Sequence, residues 1–274
     1  MINMPVDDSP TMVRFGSKYT VKLASRSEWD NPDSLLNDFT HVFYTDGSLT
    51  SDGCGSGWTM NNMIARSYSI GKSATVFQTE VFAIIQVANW IIEERMKENR
   101  IAICSDSQAA LQALLSPECR SKLVQECKDR LRSITRWNKV NLIWVPGHCG
   151  IEGNEIADEL ARTGSSECPI GPEPFIGVSS TCIYSWIEKY AALQHAERWK
   201  ELNTCKHSKF FVKEPSRKLA EFVLKLDRTE CRGIVGIITG HSNNGRHLAR
   251  MGLINDANLV WRKRTHRNIG SVSV

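Results

Sequence analysis

The sequence lacks any apolar run long enough to cross a bilayer, and its first ten residues, MINMPVDDSP, lack the basic and then apolar pattern of a secretion signal. An apolar content of 41% and a charged content of 23% are typical of a globular protein. The length of 274 residues allows one or two domains. We therefore expect an intracellular protein, in the cytoplasm or nucleus, that is neither inserted in a membrane nor secreted.

The nine cysteines include no C-x-x-C pair, and their number is odd. A disulfide framework and a cysteine-rich zinc site both need paired or closely spaced cysteines, so this pattern argues against both of them. We expect reduced thiols.

Acidic side chains are scarce in the last third of the chain. Residues 180–274 contain 17 basic and 8 acidic side chains, whereas residues 41–179 contain 13 and 16. A basic segment joined to a mildly acidic one suggests a polyanionic partner, although a solvated helical surface gives the same counts.

Strand and helix patterns alternate between residues 38 and 166. Predicted strands cover residues 40–46, 55–61, 63–70, 100–105 and 140–145; predicted helices cover residues 75–98, 107–115, 120–138 and 155–161. The first three strands follow one another closely and form an antiparallel meander, whereas the later strands are separated by helices and add in parallel. We therefore predict an α/β fold with a mixed five-stranded sheet flanked by helices.

Composition divides the rest of the chain. Residues 1–37 are predicted to form an irregular lead-in with one short strand at residues 19–23, and residues 167–180 form a linker rich in Gly, Pro and Ser. Residues 181–274 form a basic, mainly helical extension. It ends in WRKRTHR at residues 261–267, which suits either a nucleic acid backbone or a frayed tail.

Two aspartates follow predicted strands of the sheet. Asp46 follows HVFYT, and Asp106 follows RIAICS. The ends of central strands hold chemical groups rigidly at an open edge of an α/β sheet, so both are catalytic candidates. The alternatives are that Asp46 starts an Asp-Gly turn and that Asp106 caps the next helix.

Three further candidates lie on helices or loops near the same edge. Glu80 points from the apolar face of the long predicted helix, where an unneutralised carboxylate is costly. His148 lies in the glycine-flanked loop Pro146–Gly150, although most loop histidines are surface residues. Asp158 lies near the start of a helix that Asn154 is expected to cap.

Four carboxylates close together raise one another's pKa unless cations neutralise them. Mg²⁺ prefers oxygen ligands, and two such ions roughly 3.5 to 4 Å apart can promote the displacement at a phosphodiester. Asp46, Glu80, Asp106 and Asp158 together therefore predict metal-dependent phosphodiester hydrolysis, with His148 serving in proton transfer or product release.

The segments YTDGS, FQTE, SDSQ and WVPGHCGIEGNEIADELA resemble ribonuclease H, in the branch found at the end of non-LTR retrotransposon polyproteins. The resemblance covers about residues 38–166. It implies a ribonuclease H-like fold and cleavage of the RNA strand of RNA/DNA hybrids, leaving 5′-phosphomonoesters. It also implies two Mg²⁺ ions, for which Mn²⁺ can substitute, and no small-molecule cofactor.

The resemblance also assigns roles to single residues. Asp46, Glu80, Asp106 and Asp158 correspond to the metal-binding and catalytic carboxylates of the family, and His148 to its auxiliary histidine. The remaining correspondences are substrate contacts: Gly47 and Ser48 beside the cleaved strand, Gln108 at ribose 2′-hydroxyls, and Asn154 at the hybrid.

Several family features are missing from the sequence. Val76 and Phe77 replace the asparagine pair of cellular type 1 enzymes, and no basic handle helix follows Leu115. Residues 180–255 resemble the region that follows this domain in the retrotransposons, but no zinc knuckle or preceding reverse transcriptase is found. We therefore expect a truncated or domesticated element fragment.

Two other functions compete with a hybrid-cleaving enzyme. One is a nucleic-acid-binding remnant with the fold but little activity, against which the complete set of carboxylates and His148 argue. The other is an integrase or transposase of the same superfold, against which the GHxGxxGNExAD pattern argues.

Overall fold

The computed structural model describes residues 5–13, 16–168 and 176–241. The chain divides into two compact units, Met1–Ser185 and Trp186–Val274. The strands of the first unit are β1 Asp8–Val13, β2 Thr20–Lys22, β3 His41–Leu49, β4 Cys54–Met60, β5 Ile64–Gly71, β6 Arg100–Ser105, β7 Glu118–Ser121 and β8 Lys139–Trp144.

The predicted mixed sheet is confirmed, with the strand order β2-β8-β6-β3-β4-β5. The strands β3, β4 and β5 form the antiparallel meander, and β3, β6, β8 and β2 pair in parallel. The sheet has six strands where five were predicted. The sixth is the short strand expected in the lead-in, and it pairs with β8 at the edge of the sheet.

Helices cover both faces of this sheet. They are α1 Pro32–Leu36, α2 Val76–Glu93, α3 Gln108–Leu115, α4 Lys122–Ile134 and α5 Glu152–Ser166, with a short 3₁₀ helix at Arg26–Asp30. Along β6, Ile101 and Ile103 pack into the larger core with α2 and α4, whereas Ala102 and Cys104 pack into a second core with α5. The strand is apolar from Ile101 to Cys104 because successive side chains alternate between two buried faces.

Several element boundaries differ from the prediction; α2, for example, ends at Glu93 and not at residue 98. The strand β3 continues through Gly47 and Ser48 to Leu49, because both residues pair with β4 instead of forming a turn. The helix α4 begins later than predicted because residues 118–121 form β7, which pairs with β1 from the lead-in. The helix α5 begins at Glu152 with Ile151 as its N-cap, so the expected capping role of Asn154 is wrong.

The second unit is helical where the structure describes it, as predicted. Its helices are the remainder of α6 Ser180–Glu201, then α7 Lys206–Phe211, α8 Arg217–Leu224 and α9 Arg228–Thr239. Trp199 Nε1 donates to Val212 O at 3.0 Å, and His207 lies 3.0 Å from Ile237 O. Residues 169–175 of the linker and the WRKRTHR segment lie outside the described residues. No helix among the described residues has the length and apolar content needed to cross a membrane.

Candidate active site

The register of two parallel strands places two aspartates side by side. Pairing between β3 and β6 reaches Thr45 opposite Ser105, so that Asp46 and Asp106 each come one residue later. Asp46 lies within β3, paired with Gly57 of β4, and does not start a turn. Ser107 caps α3 by accepting a hydrogen bond from Ala110 N, which leaves the Asp106 carboxylate free of that role.

Glycines let helices approach Asp46 from both faces of the sheet. A Cβ atom on Gly47 would lie 2.3 Å from Thr79 Oγ1 and 2.5 Å from Glu80 N, so the start of α2 fits only against a glycine. A Cβ atom on Gly57 would lie 2.5 Å from the backbone nitrogen of Ala161 in α5. The two close approaches bring the helices that carry Glu80 and Asp158 to the same end of β3.

Three of the four predicted carboxylates come together. Asp46, Glu80 and Asp106 each offer an oxygen, and these oxygens lie within 4.8 Å of one another. The side chains of Asp46 and Glu80 are almost completely buried, with exposed fractions of 7% and 4%. Glu80 and Asp46 each affect the pKa of the other.

Burial raises the pKa of every carboxyl group in this cluster, and the charges of nearby carboxylates add to the effect. Burial, followed by the charge of Asp106, raises the pKa of Asp46 from 3.8 to about 7. The pKa of Glu80 is raised well above its ordinary value, first by burial and then by Asp46. Burial also raises the pKa of Asp106, against the opposing effects of His148 and of a hydrogen bond from Asn154.

The fourth carboxylate, Asp158, stands beside the cluster and pairs with a cation. Its side chain forms an ion pair with Arg162, one turn further along α5. Its charge nevertheless contributes to the raised pKa of both Asp46 and Asp106. Arg162 is a residue that the sequence reasoning missed, although its spacing of four from Asp158 on a helix was a usable signal.

His148 lies on the loop between β8 and α5, close to the acidic groups. Its side chain is 78% exposed, and its Nδ1 lies 4.0 Å from Asp158 Oδ2. Its backbone has φ +53°, a left-handed conformation that is uncommon outside glycine. The preceding Gly147 approaches Asp106 so closely that a Cβ atom would lie 2.6 Å from Asp106 Oδ2. The loop thus packs directly against the cluster.

The predicted substrate contacts occupy different environments. Gln108 is exposed at the first residue of α3, and Gly47 and Ser48 are half-buried in β3. Asn154 is buried in the first turn of α5, and its side chain acts to lower the pKa of Asp106. Its Oδ1 finds no hydrogen-bond partner within the part of the chain that the structure describes.

The donor set fits a hard divalent cation. Glu80 Oε2 is buried and has no hydrogen-bond partner among the described residues, although such an atom is costly to leave unpaired. Three carboxylates within reach of one another supply the oxygen ligands that Mg²⁺ and Mn²⁺ prefer. A cation held by Asp46, Glu80 and Asp106 would satisfy this oxygen and offset the effects of burial and of neighbouring charges that raise the three pKa values.

Comparisons with known proteins find similarity to ribonucleases H in part of the chain. Residues 39–166 match the family model of RNase H. A stretch of 39 residues, 14% of this chain, is 51% identical to a ribonuclease H of Maricaulis maris (strain MCS10) and spans 26% of that protein. The crystal structure of RNase H1 from the halophilic archaeon Halobacterium salinarum NRC-1 is 22% identical, with a TM-score of 0.37 over 45% of this chain and 96% of that one.

Proposed function

We propose that the RNase H domain formed by residues 39–166 is a metal-dependent endonuclease that hydrolyses the RNA strand of RNA/DNA hybrids and leaves 5′-phosphomonoesters. The observation that carries this proposal is the group of three carboxylates with raised pKa values, two of them buried and the third partly buried, placed at the end of the parallel strands. A retrotransposon origin is part of the proposal and rests on the sequence resemblance.

In this proposal Asp46, Glu80 and Asp106 hold a divalent cation, and Asp158 joins them when it releases Arg162. The ions are Mg²⁺, two per site, with Mn²⁺ as a substitute. When bound, they supply Lewis-acid activation of water and stabilise the charge on the leaving oxygen. The protein side chains fix these ligands on two strands and two helices, so that little reorganisation is needed during the reaction.

His148 moves a proton in this mechanism. Its exposed imidazole lies beside Asp158 on a loop that packs against Asp106, so it can reach a substrate group above the cluster. We assign it proton transfer at the leaving group or assistance in product release.

The residues proposed to contact the RNA/DNA hybrid are chosen from the sequence resemblance and from the exposure of their side chains. Gln108 is placed at the start of α3 beside Asp106 and is open to a ribose 2′-hydroxyl, which distinguishes RNA from DNA. Gly47 and Ser48 lie next to Asp46 in β3, beside the cleaved strand. Asn154 is retained as a site residue that also holds Asp106 in place.

A second candidate function is a nucleic-acid-binding remnant of a retrotransposon with little activity. The ion pair between Arg162 and Asp158 favours it, because this contact engages one of the four predicted metal ligands. The excess of basic over acidic side chains in residues 180–274 also suits a polyanion.

Cleavage of a labelled RNA/DNA hybrid by the purified protein tests the proposal. We expect Mg²⁺-dependent cutting of the RNA strand, abolished by EDTA, with single-stranded RNA and duplex DNA left intact. Cleavage products that accept a 5′ label from a polynucleotide kinase only after phosphatase treatment identify 5′-phosphate ends. Folded protein that binds the hybrid in a salt-sensitive way without cutting it would favour the binding remnant.

A further inference from the structure

Two short segments outside the family match lie across the start of α2. They are residues 5–8 and residues 177–178, which we call the strap. Asp7 N donates to Val178 O at 3.0 Å, and Val178 N donates to Pro5 O at 2.8 Å. Val178 and the Asp7 side chain are both buried. The strap is therefore an integral part of the first unit, although residues 39–166 alone match the family model.

Asp7 is the centre of this contact. Its Oδ1 accepts a hydrogen bond from Leu123 N at 2.9 Å, in the first turn of α4. The Ser121 hydroxyl lies 2.9 Å from Asp7 Oδ2. The same oxygen accepts a hydrogen bond from Gln78 Nε2 of α2 at 3.1 Å. One carboxylate thus joins the beginnings of two helices.

Gln78 completes the network on the α2 side. Its Nε2 also donates to Gly177 O at 2.8 Å, and its Oε1 accepts from Thr75 N at 3.1 Å. Its side chain is only 1% exposed. A buried polar network in which every group is paired holds one arrangement rigidly, since each alternative leaves a polar atom unpaired.

The strap holds the opposite side of α2 from the site. At 3.6 residues per turn, Gln78 and Glu80 point roughly 200° apart around the helix axis. On the Glu80 side, Thr79 and Glu80 press against Gly47, and Ser56 Oγ donates to Thr79 O at 2.6 Å. Contacts on both sides therefore fix the start of α2. One of the residues in these contacts, Gln78, is two positions from Glu80.

We propose that Asp7 is a positioning residue which, through Gln78, fixes the rotation and height of the first turn of α2 and so places Glu80 for a divalent cation. This inference rests on the proposed function. It extends the functional unit before residue 39 and beyond residue 166.

The test measures binding of Mg²⁺ alone to the full-length protein by isothermal titration calorimetry, beside the thermal unfolding temperature. In Asp7→Asn an amide faces the Gln78 amide, so the link is broken while an acceptor remains for Leu123 N. We expect Mg²⁺ affinity to fall about tenfold or more, as for other residues that orient metal ligands. Gln78→Ala breaks the same link from the helix side with a strong helix former, should Asp7→Asn fail to fold.

Ser121→Ala is the matched control, because it removes a hydrogen bond to Asp7 and the cap of α4 but leaves Asp7 paired with Gln78. We expect it to lower the unfolding temperature without changing Mg²⁺ affinity. Equal Mg²⁺ affinity in Asp7→Asn, Gln78→Ala and the wild type would overturn the inference, as would an equal loss in all three variants. A wild-type protein that binds no Mg²⁺ would overturn the proposed function together with it.

Discussion

The carboxyl groups of Asp46 and Glu80 lie together where they are buried at the end of a sheet, with Asp106 next to them. Neighbouring carboxyl groups destabilise the folded protein when they ionise, because each ionised carboxylate repels the others and raises their pKa. The arrangement becomes favourable when a cation is bound. The residues of this site therefore favour cation binding but lower the stability of the metal-free protein. Substitutions should separate the two effects.

Asp106→Asn should abolish cleavage while leaving the fold intact. The amide keeps the shape of the side chain but loses the charge that would bind a cation. Because a repulsive charge is removed, we expect the unfolding temperature of the metal-free protein at pH 8 to stay the same or rise. Hybrid cleavage and circular dichroism measure the two effects, and an active variant would remove Asp106 from the proposed mechanism.

His148→Ala should slow turnover by about 100-fold, at the lower end of the range for acid–base groups. We expect Mg²⁺ affinity to remain close to that of the wild type, since the exposed imidazole is not part of the three-carboxylate cluster. Single-turnover cleavage and calorimetry with Mg²⁺ measure the two quantities. Unchanged turnover would make His148 a bystander.

At the scale of elements, the site depends on how closely α2 and α5 approach β3 and β4. The start of α2 lies so near Gly47 that a Cβ atom there would overlap both Thr79 and Glu80. The contacted atoms include the backbone of α2, which cannot move aside as a flexible side chain can. A methyl group added at residue 47 should therefore displace the start of α2.

Gly47→Ala should displace the start of α2, lower stability by about 1 to 3 kcal/mol as overpacking does, and reduce cleavage strongly. Gly233→Ala is the matched control, because nothing lies within 4 Å of its added Cβ atom, and alanine favours the helix α9. We expect the control to be as stable and active as the wild type. Chemical denaturation with hybrid cleavage tests both variants; a fully active Gly47→Ala would contradict the close-approach argument.

Sequence periodicity was sufficient to predict the central strands and α2, because their apolar patterns are long and their ends carry turn or capping residues. The pairing of β1 with β7 could not be predicted, since both strands are short and each depends on a distant partner. The position of Asp158 was predicted only in part. Its helix was expected, but its pairing with Arg162 depends on side-chain rotamers that periodicity does not specify.

At the scale of the whole molecule, the acidic cluster links folding stability to pH and to metal. The pKa of Asp46 rises from 3.8 to about 7 in the folded protein, so the folded state binds this proton more tightly than the unfolded state. The resulting stabilisation is complete below about pH 4 and is lost as the pH rises through about 7. The metal-free protein should therefore lose this contribution to its stability between these two values.

Mg²⁺ should reverse this loss, because it binds the ionised cluster of the folded protein. At about 100 times its Kd, an ion stabilises the folded state by about 2.7 kcal/mol, and we expect the unfolding temperature to rise by several degrees. The rise should be larger at pH 8 than at pH 5, where protons occupy the site. Thermal unfolding at both pH values, with Asp46→Asn as the control, measures it; an equal rise at both values would contradict the link.

The register of β3 against β6 limits where residues can be inserted or deleted. Asp46 and Asp106 meet because each comes one residue after the paired residues Thr45 and Ser105. Inserting or deleting one residue within either strand would turn its aspartate to the opposite face of the sheet. Length variation among descendants of this sequence should therefore collect in the connections, such as residues 50–53 and 94–99, and stay out of the two strands.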